Sequence, residues 1–390
     1  MKGRKRALAQ MGGRVRCGGD PEVAAVLSRA WRRASEDDGD QVTHGFHTWP
    51  ARMHFAIART VLMAFDSATV LDPFSGGATV PIEAMLAGRR CIGVDLDPLA
   101  ALLGDVKTQK RTPEEIGRFL GTASTVADAS ETRVRERVPI FADLPAEERQ
   151  WYAPHVLKEL GGLLAEIRAV EDRRDRRALG MVFSSIVVKV SKQRSDTSQE
   201  EAPTRIRKGL STEIFLRKAQ ELGARWSELA EAAKGPAPTF HTGDARALRK
   251  VIGRRSVDLI LTSPPYGGTY DYATHHARRA AWLGLNATGL KRSEIGARRR
   301  LSRRTGRETW DAEVAAMLAS MADVLDREGR IVLVMGDGEV ARRRVELMPQ
   351  LGRLAPRAGL DLIASASQPR RNWGGSGDRE EHLVVLARSR

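Results

Sequence analysis

The sequence predicts an α/β fold whose mainly parallel sheet is interrupted by a long helical insertion. Three observations carry this expectation. A strand–turn–helix–strand unit occupies residues 68–95, the α/β rhythm stops over residues 105–235, and strand-like apolar runs return from residue 239. Alternation of this kind builds parallel strands joined by helices that cover the sheet.

The elements follow in order. Residues 1–40 begin with the basic run Met1-Lys-Gly-Arg-Lys-Arg6 and end on Ser35-Glu-Asp-Asp-Gly-Asp40. With one helix expected near 21–33, they read as a basic, loosely ordered arm. Phe55 to Phe65 is apolar and unbroken, as a buried helix is. Ala68-Thr-Val-Leu-Asp72 is a short strand, Pro73-Phe-Ser-Gly-Gly77 a turn, Thr79 to Ala87 a helix closed by Gly88, and Cys91-Ile-Gly-Val-Asp95 the next strand. Residues 105–235 carry Arg, Glu, Ala and Leu at helical spacing and form the insertion. Strands are then expected at Thr239–Gly243, Val257–Leu261, Arg330–Met335 and His382–Ala387. The main α/β domain therefore comprises residues 41–104 and 236–390, with the insertion between its halves.

Composition narrows the class. With 64 Lys and Arg against 49 Asp and Glu, the chain of 390 residues carries a formal charge of +15. That excess speaks for a polyanionic partner or for an arginine-rich composition, and says nothing of chemistry. No apolar run is long enough to span a bilayer and no apolar h-region follows the basic start, so a cytoplasmic protein is expected. Two cysteines, Cys17 and Cys91, are too few for a disulfide framework or a cysteine zinc site.

Acidic residues stand at successive strand ends. Asp72 precedes Pro73-Phe74-Ser75-Gly76-Gly77, where small residues let backbone N–H groups approach a ligand. Asp95 ends the next strand 23 residues later, a place suited to pairing with ribose hydroxyls. Asp244, in Gly243-Asp-Ala245, is placed to accept from an adenine amino group. The sharpest signal is Thr262-Ser-Pro-Pro-Tyr266, directly after an apolar strand. Two prolines cannot continue a central strand, so the chain leaves the sheet in a stiff, extended form. That stiffness would aim the Ser263 hydroxyl and Pro264 carbonyl at the carboxyl-end crevice, with Pro265 fixing the turn and Tyr266 offering a face to an extruded base.

These residues resemble a family. Leu71-Asp-Pro-Phe-Ser-Gly-Gly-Ala-Thr79 is similar to the cofactor motif of the amino-group (cytosine-N4/adenine-N6) DNA methyltransferases, Gly93-Val-Asp-Leu-Asp-Pro98 to their second motif, and Thr262–Tyr266 to their catalytic motif. His44-Gly-Phe-His-Thr-Trp-Pro-Ala-Arg52 resembles the segment that precedes their first strand. The resemblance covers about half the chain. It implies a Rossmann-like, seven-stranded methyltransferase sheet with S-adenosylmethionine as donor. Asp72 would face the methionine moiety, together with Phe74, Ser75, Gly76 and Gly77; Asp95 would face the ribose and Asp244 the adenine. Ser263, Pro264, Pro265 and Tyr266 would hold the target base. Serine at the head of the catalytic motif favours cytosine N4 over adenine N6. The motif order leaves target recognition to the insertion. The expected setting is double-stranded DNA in the nucleoid, and a cognate restriction endonuclease is compatible with it.

Methyl transfer from a sulfonium is a direct displacement in which positioning and electrostatics do the work, so no catalytic His, Cys or metal is required. His275-His276 lack zinc partners at suitable spacing. Tyr270, Tyr272 and these histidines follow Gly267-Gly268 and could close over a base or pack on the sheet edge. Six arginines within Arg298–Arg307, among them Arg298, Arg299, Arg300, Arg303 and Arg304, are placed for phosphate contacts. Lys192, Arg194, Arg205 and Lys208 form a weaker basic group. Two other readings stay open: an RNA (tRNA) base methyltransferase, and a nucleic-acid-binding protein that keeps the fold without transferring methyl groups.

Overall fold

The computed structural model describes residues 13–37, 39–138, 144–202, 205–253, 256–370 and 379–389, so the basic run at the amino terminus lies outside the described residues. Among the described residues there are ten strands: β1 (Arg16–Gly19), β2 (Thr69–Asp72), β3 (Arg90–Asp95), β4 (Thr239–Thr242), β5 (Val257–Thr262), β6 (Leu325–Gly336), β7 (Gly338–Val340), β8 (Arg343–Val345), β9 (Leu360–Arg370) and β10 (Arg379–Arg388). The main sheet runs β1-β9-β10-β6-β5-β2-β3-β4. Strands β2 to β6 pair parallel, and β10 enters antiparallel between β6 and β9. The chain order reverses at β2 and β5, which are neighbours. Their carboxyl ends therefore flank a topological switch point, where α/β sheets open a ligand crevice.

Eight strands replace the expected seven because β1 adds to the edge of β9, with Arg16 opposite Ser367 and Gly19 opposite Ala364. The helix Pro21–Glu36 follows at once, its Asp20 side chain capping Val23 N at 2.9 Å. Leu27, Ala30, Trp31 and Ala34 are buried along one stripe of that helix, and the Trp31 indole donates to Ala366 O at 3.0 Å. The stretch read as a loosely ordered arm is thus, over Arg16–Glu36, strand and packed helix.

The period of two along each strand divides the core between the sheet's faces. Val70, Leu259, Leu261, Val332, Val334, Leu383 and Val385 pack under Pro21–Glu36 and the helix Phe55–Ala64. Ile260, Ile331, Leu333, Val384 and Leu386 pack under the helices Gly306–Val324 and Leu347–Leu354. Truncating any of these central aliphatics to alanine costs about 2–5 kcal/mol.

Between β3 and β4 the chain runs through Pro98–Lys107 and then five further helices, Pro113–Arg135, Ala146–Arg149, Pro154–Ala169, Arg173–Val187 and Leu210–Ala232. Phe119, Leu160, Leu163, Phe183, Phe215 and Trp226 form their common core. Thr112 starts the first of the five with a capping box, exchanging bonds with Glu115. The cluster also takes in Phe46 and Trp282, so the helical segment is seated on chain that flanks the crevice.

Candidate active site

Both halves of the crevice are built from strand ends. At the end of β2 the chain turns through Pro73-Phe-Ser-Gly-Gly77, with Gly76 at φ +40°. A side chain at Gly76 would meet the Trp49 indole at 2.7 Å, so glycine is what lets the turn lie against Trp49. Trp49 is brought there by the segment 44–54. His44 Nε2 lies 2.8 Å from Glu83 Oε1, and Arg59 reaches the same carboxylate at 2.9 Å. Burial drives His44 down to about 4, so it is neutral, while His44 and Arg59 hold Glu83 below its ordinary value despite its burial. The buried Lys107 ammonium donates to His44 O at 3.1 Å and to Gly77 O, tying this segment to the turn.

Asp72, Phe74, Ser75, Gly76, Gly77, Asp95, Asp244, Ser263 and Pro265 all line one cleft of about 800 Å³, with Trp49, Asp97, Tyr272, Glu294 and Ile295. Asp72 Oδ1 accepts from Thr262 Oγ1 at 2.6 Å and from Phe74 N at 3.2 Å, leaving Oδ2 with neither bond. Burial pushes Asp72 up to about 7, against the opposing pull of those bonds. Asp95 accepts Gly76 N at 2.8 Å and Asp97 N at 2.9 Å; burial, and next the charge of Asp97, push it up to about 7. Asp244 stands at the end of β4 and is clamped by Arg246, whose Nη2 lies 2.6 Å away. Two carboxyls held near neutrality and a third beside them form an acid-lined pocket next to the Pro-Pro turn.

Tyr266 is placed differently from the expectation of an open stacking face. Its ring is buried in the core cluster that includes Ile260, Trp310 and Met335, its hydroxyl donates to Glu381 Oε1 at 2.5 Å, and the Arg370 guanidinium lies 4.9 Å from the ring centre. A side chain on Gly336 would strike the ring at 2.8 Å. Neither Tyr266 nor Pro264 lines the cleft; Ser263, Pro265 and Tyr272 do. His276 is buried with Nδ1 2.6 Å from Asp97 Oδ2 and its ring 4.3 Å from Trp49, so it braces the wall, and no group of three or more metal-ligating side chains occurs among the described residues.

The basic candidates divide. Arg299 is bound to Asp271 and Glu294, Arg300 to Glu313 at 2.7 Å, and Arg298 to the carbonyls of Gly268 and Thr269. These three brace the loop that follows the Pro-Pro turn, Arg299 and Arg300 with their charges already paired to acids. Arg303 and Arg304 are exposed and form no ion pair among the described residues. Lys192 and Arg194 are paired with Glu201 and Glu200, so each charge already has an acidic partner. Tyr272, expected to close over a base or pack on the sheet edge, lines the cleft; Trp49, Asp97 and Glu294 join it without a local signal of a site role, although Asp97-Pro98 carries a helix-start signal that Asp97 fulfils by capping Leu99 N at 2.9 Å.

Fold and cleft together define a doubly wound α/β domain whose acid-lined cleft opens at the switch point between β2 and β5. No family model matches the chain. It is similar to three Type II methyltransferases. M.MvaI of Kocuria varians is 25% identical over 63% of this chain and 58% of its own length, and M.BsoBI of Geobacillus stearothermophilus 23% over 57% and 48%. M.MjaII of Methanocaldococcus jannaschii is 20% identical over 78% of this chain and 73% of its own. This chain thus spans little more than half the length of the first of them.

The residues fit S-adenosylmethionine. Three acids from three strand ends share one cleft, and the Ser75 hydroxyl beside them is buried without a partner. No helix among the described residues is long and apolar enough to cross a membrane.

Proposed function

We propose that this chain methylates an exocyclic amine of a base in double-stranded DNA at a specific site, cytosine N4 in preference to adenine N6. The observation that carries the reading is the single cleft in which Asp72, Asp95 and Asp244 meet Ser263 and Pro265. S-adenosylmethionine supplies a methyl group on a sulfonium. Asp72 offers a carboxylate to the cationic methionine end, Asp95 accepts from ribose hydroxyls and Asp244 from the adenine amine. The Ser263 hydroxyl, which lines the cleft, accepts from the target NH2 and turns its lone pair towards the donor. The displaced amine proton leaves through the open cleft, so no strong base is needed.

Similarity to Type II methyltransferases and the charge of +15 support DNA as the substrate. The helical segment at 105–235 is assigned to target recognition, and a cognate endonuclease that spares methylated DNA belongs to the same reading. Transfer of tritiated methyl groups to DNA and RNA, followed by nucleoside mass spectrometry, tests it. N4-methyldeoxycytidine is expected. N6-methyldeoxyadenosine would overturn the choice of base, label in RNA alone the choice of DNA, and cofactor binding without transfer the enzymatic role.

A further inference from the structure

The two-stranded sheet of β7 and β8 is a hairpin whose two loop residues, Ala341 (φ 49°) and Arg342 (φ 62°), both take the left-handed conformation. Two-residue hairpin loops of that shape normally use Asn and Gly. A non-glycine pair held there marks a conformation imposed by its surroundings, and such places concentrate at functional sites. The surroundings are the catalytic loop and the basic loop. Glu339 N donates to Gly267 O at 2.9 Å, one residue past Tyr266, and Ala341 N donates to Leu301 O at 3.0 Å. Val340 also packs where Gly306 leaves room, since a side chain there would meet its Cγ1 at 3.1 Å.

This docking sets the exposed Arg342 and Arg343 on the hairpin beside the exposed Arg303 and Arg304 on the loop 301–306. Among the described residues none of the four forms an ion pair, whereas their neighbours do: Arg344 is taken by Asp337 at 2.6 Å and Glu339 by Arg379 at 2.7 Å. The acids nearby, Asp271, Glu294 and the helical Glu313, are likewise paired with Arg299 and Arg300. The hairpin is bonded through Glu339 N to Gly267 O of the loop that follows Ser263 and through Ala341 N to Leu301 O, so these four arginines form one exposed positive edge joined to that loop.

We infer that the hairpin tip Arg342-Arg343 and the loop pair Arg303-Arg304 form one clamp for the phosphodiester backbone of duplex DNA next to the methylated base. The inference rests on the proposed DNA substrate and names the surface that grips it. Each phosphate neutralised releases a condensed counterion, so log Kd varies with log salt by about 0.9 per contact.

The test uses a fluorescein-labelled 30-base-pair duplex of mixed sequence, titrated by anisotropy in 50–300 mM KCl. The slope should fall by about 1.8 in Arg342→Gln/Arg343→Gln and by about 3.6 when Arg303→Gln/Arg304→Gln is added. S-adenosylmethionine affinity should stay within twofold in both, which confirms the fold. The control Arg29→Gln/Arg32→Gln removes the same charge from the helix on the opposite face of the sheet and should leave the slope unchanged. An unchanged slope in the fourfold variant, or an equal fall in the control, overturns the clamp while leaving methylation of DNA standing. A fall seen on a 30-nucleotide RNA and not on the duplex overturns DNA as its ligand. Wild-type protein that grips duplex DNA through these arginines but methylates none would keep the clamp and overturn the proposed reaction.

Discussion

Cofactor binding should be strongly pH-dependent just below neutrality. Asp72 and Asp95 sit at about 7 in the ligand-free protein, chiefly because burial penalises their charged forms. A cationic methionine end at Asp72 and ribose hydroxyls at Asp95 both favour carboxylate over carboxylic acid. Binding must therefore expel whatever proton each group holds. If one carboxyl is coupled in this way, Kd rises about tenfold between pH 8 and pH 6, and about a hundredfold if both are. The same linkage gives the sign for the ligand-free fold. A carboxyl whose folded value is raised opposes folding once pH exceeds its unfolded value, so stability falls as pH climbs from about 4 towards 7. Isothermal titration calorimetry of S-adenosylmethionine, in two buffers of different ionisation enthalpy, reads affinity and proton release together. A Kd flat within twofold from pH 6 to pH 8, with no proton released, would refute the assignment of these acids to the donor.

Asp95→Asn should weaken S-adenosylmethionine by about 1–3 kcal/mol while raising the melting temperature of the ligand-free protein at pH 8, because a buried charge is removed. A calorimetric Kd equal to wild type would sink the ribose role. Ser263→Ala should lose methyl transfer at least a hundredfold with cofactor affinity within twofold, checked by tritium transfer and calorimetry on the same preparation. Tyr266→Phe keeps the ring and deletes the donor to the buried Glu381, so it should cost about 1–3 kcal/mol in urea unfolding. Its transfer rate per folded molecule should stay within a few fold, since the hydroxyl does not reach the cleft.

The parts of the fold legible in the sequence are those with undiluted local signals. Val257-Asp-Leu-Ile-Leu261 followed by two prolines can only be a core strand leaving a sheet, and the small residues after Asp72 can only be a tight turn. β9 escaped because its Leu360-Asp-Leu-Ile-Ala-Ser-Ala-Ser run dilutes branched residues with small ones. The structure gives the reason: Ala364 and Ala366 lie under the helix bearing Trp31, which needs that room. The β7–β8 hairpin escaped because Ala341-Arg342 lacks the Asn or Gly such a turn usually shows.

At the site, residues whose position is fixed by their own strand could be read locally. Those whose environment comes from far away could not. The fate of Tyr266 depends on Glu381 and Arg370, and that of Arg299 and Arg300 on acids in other elements. A run of arginines reads the same whether its counterions are water-borne or built into the next loop.

The bond from Thr262 Oγ1 to Asp72 joins residues 190 positions apart. It makes the hydroxyl at the head of the Pro-Pro turn the partner of a buried cleft acid. Because Thr262 and Phe74 both use Oδ1, the carboxyl is held in place while Oδ2 stays open to a ligand. One hydroxyl thus fastens the start of the Pro-Pro turn to the end of the neighbouring strand, so the two strand ends that frame the cleft are held as one piece.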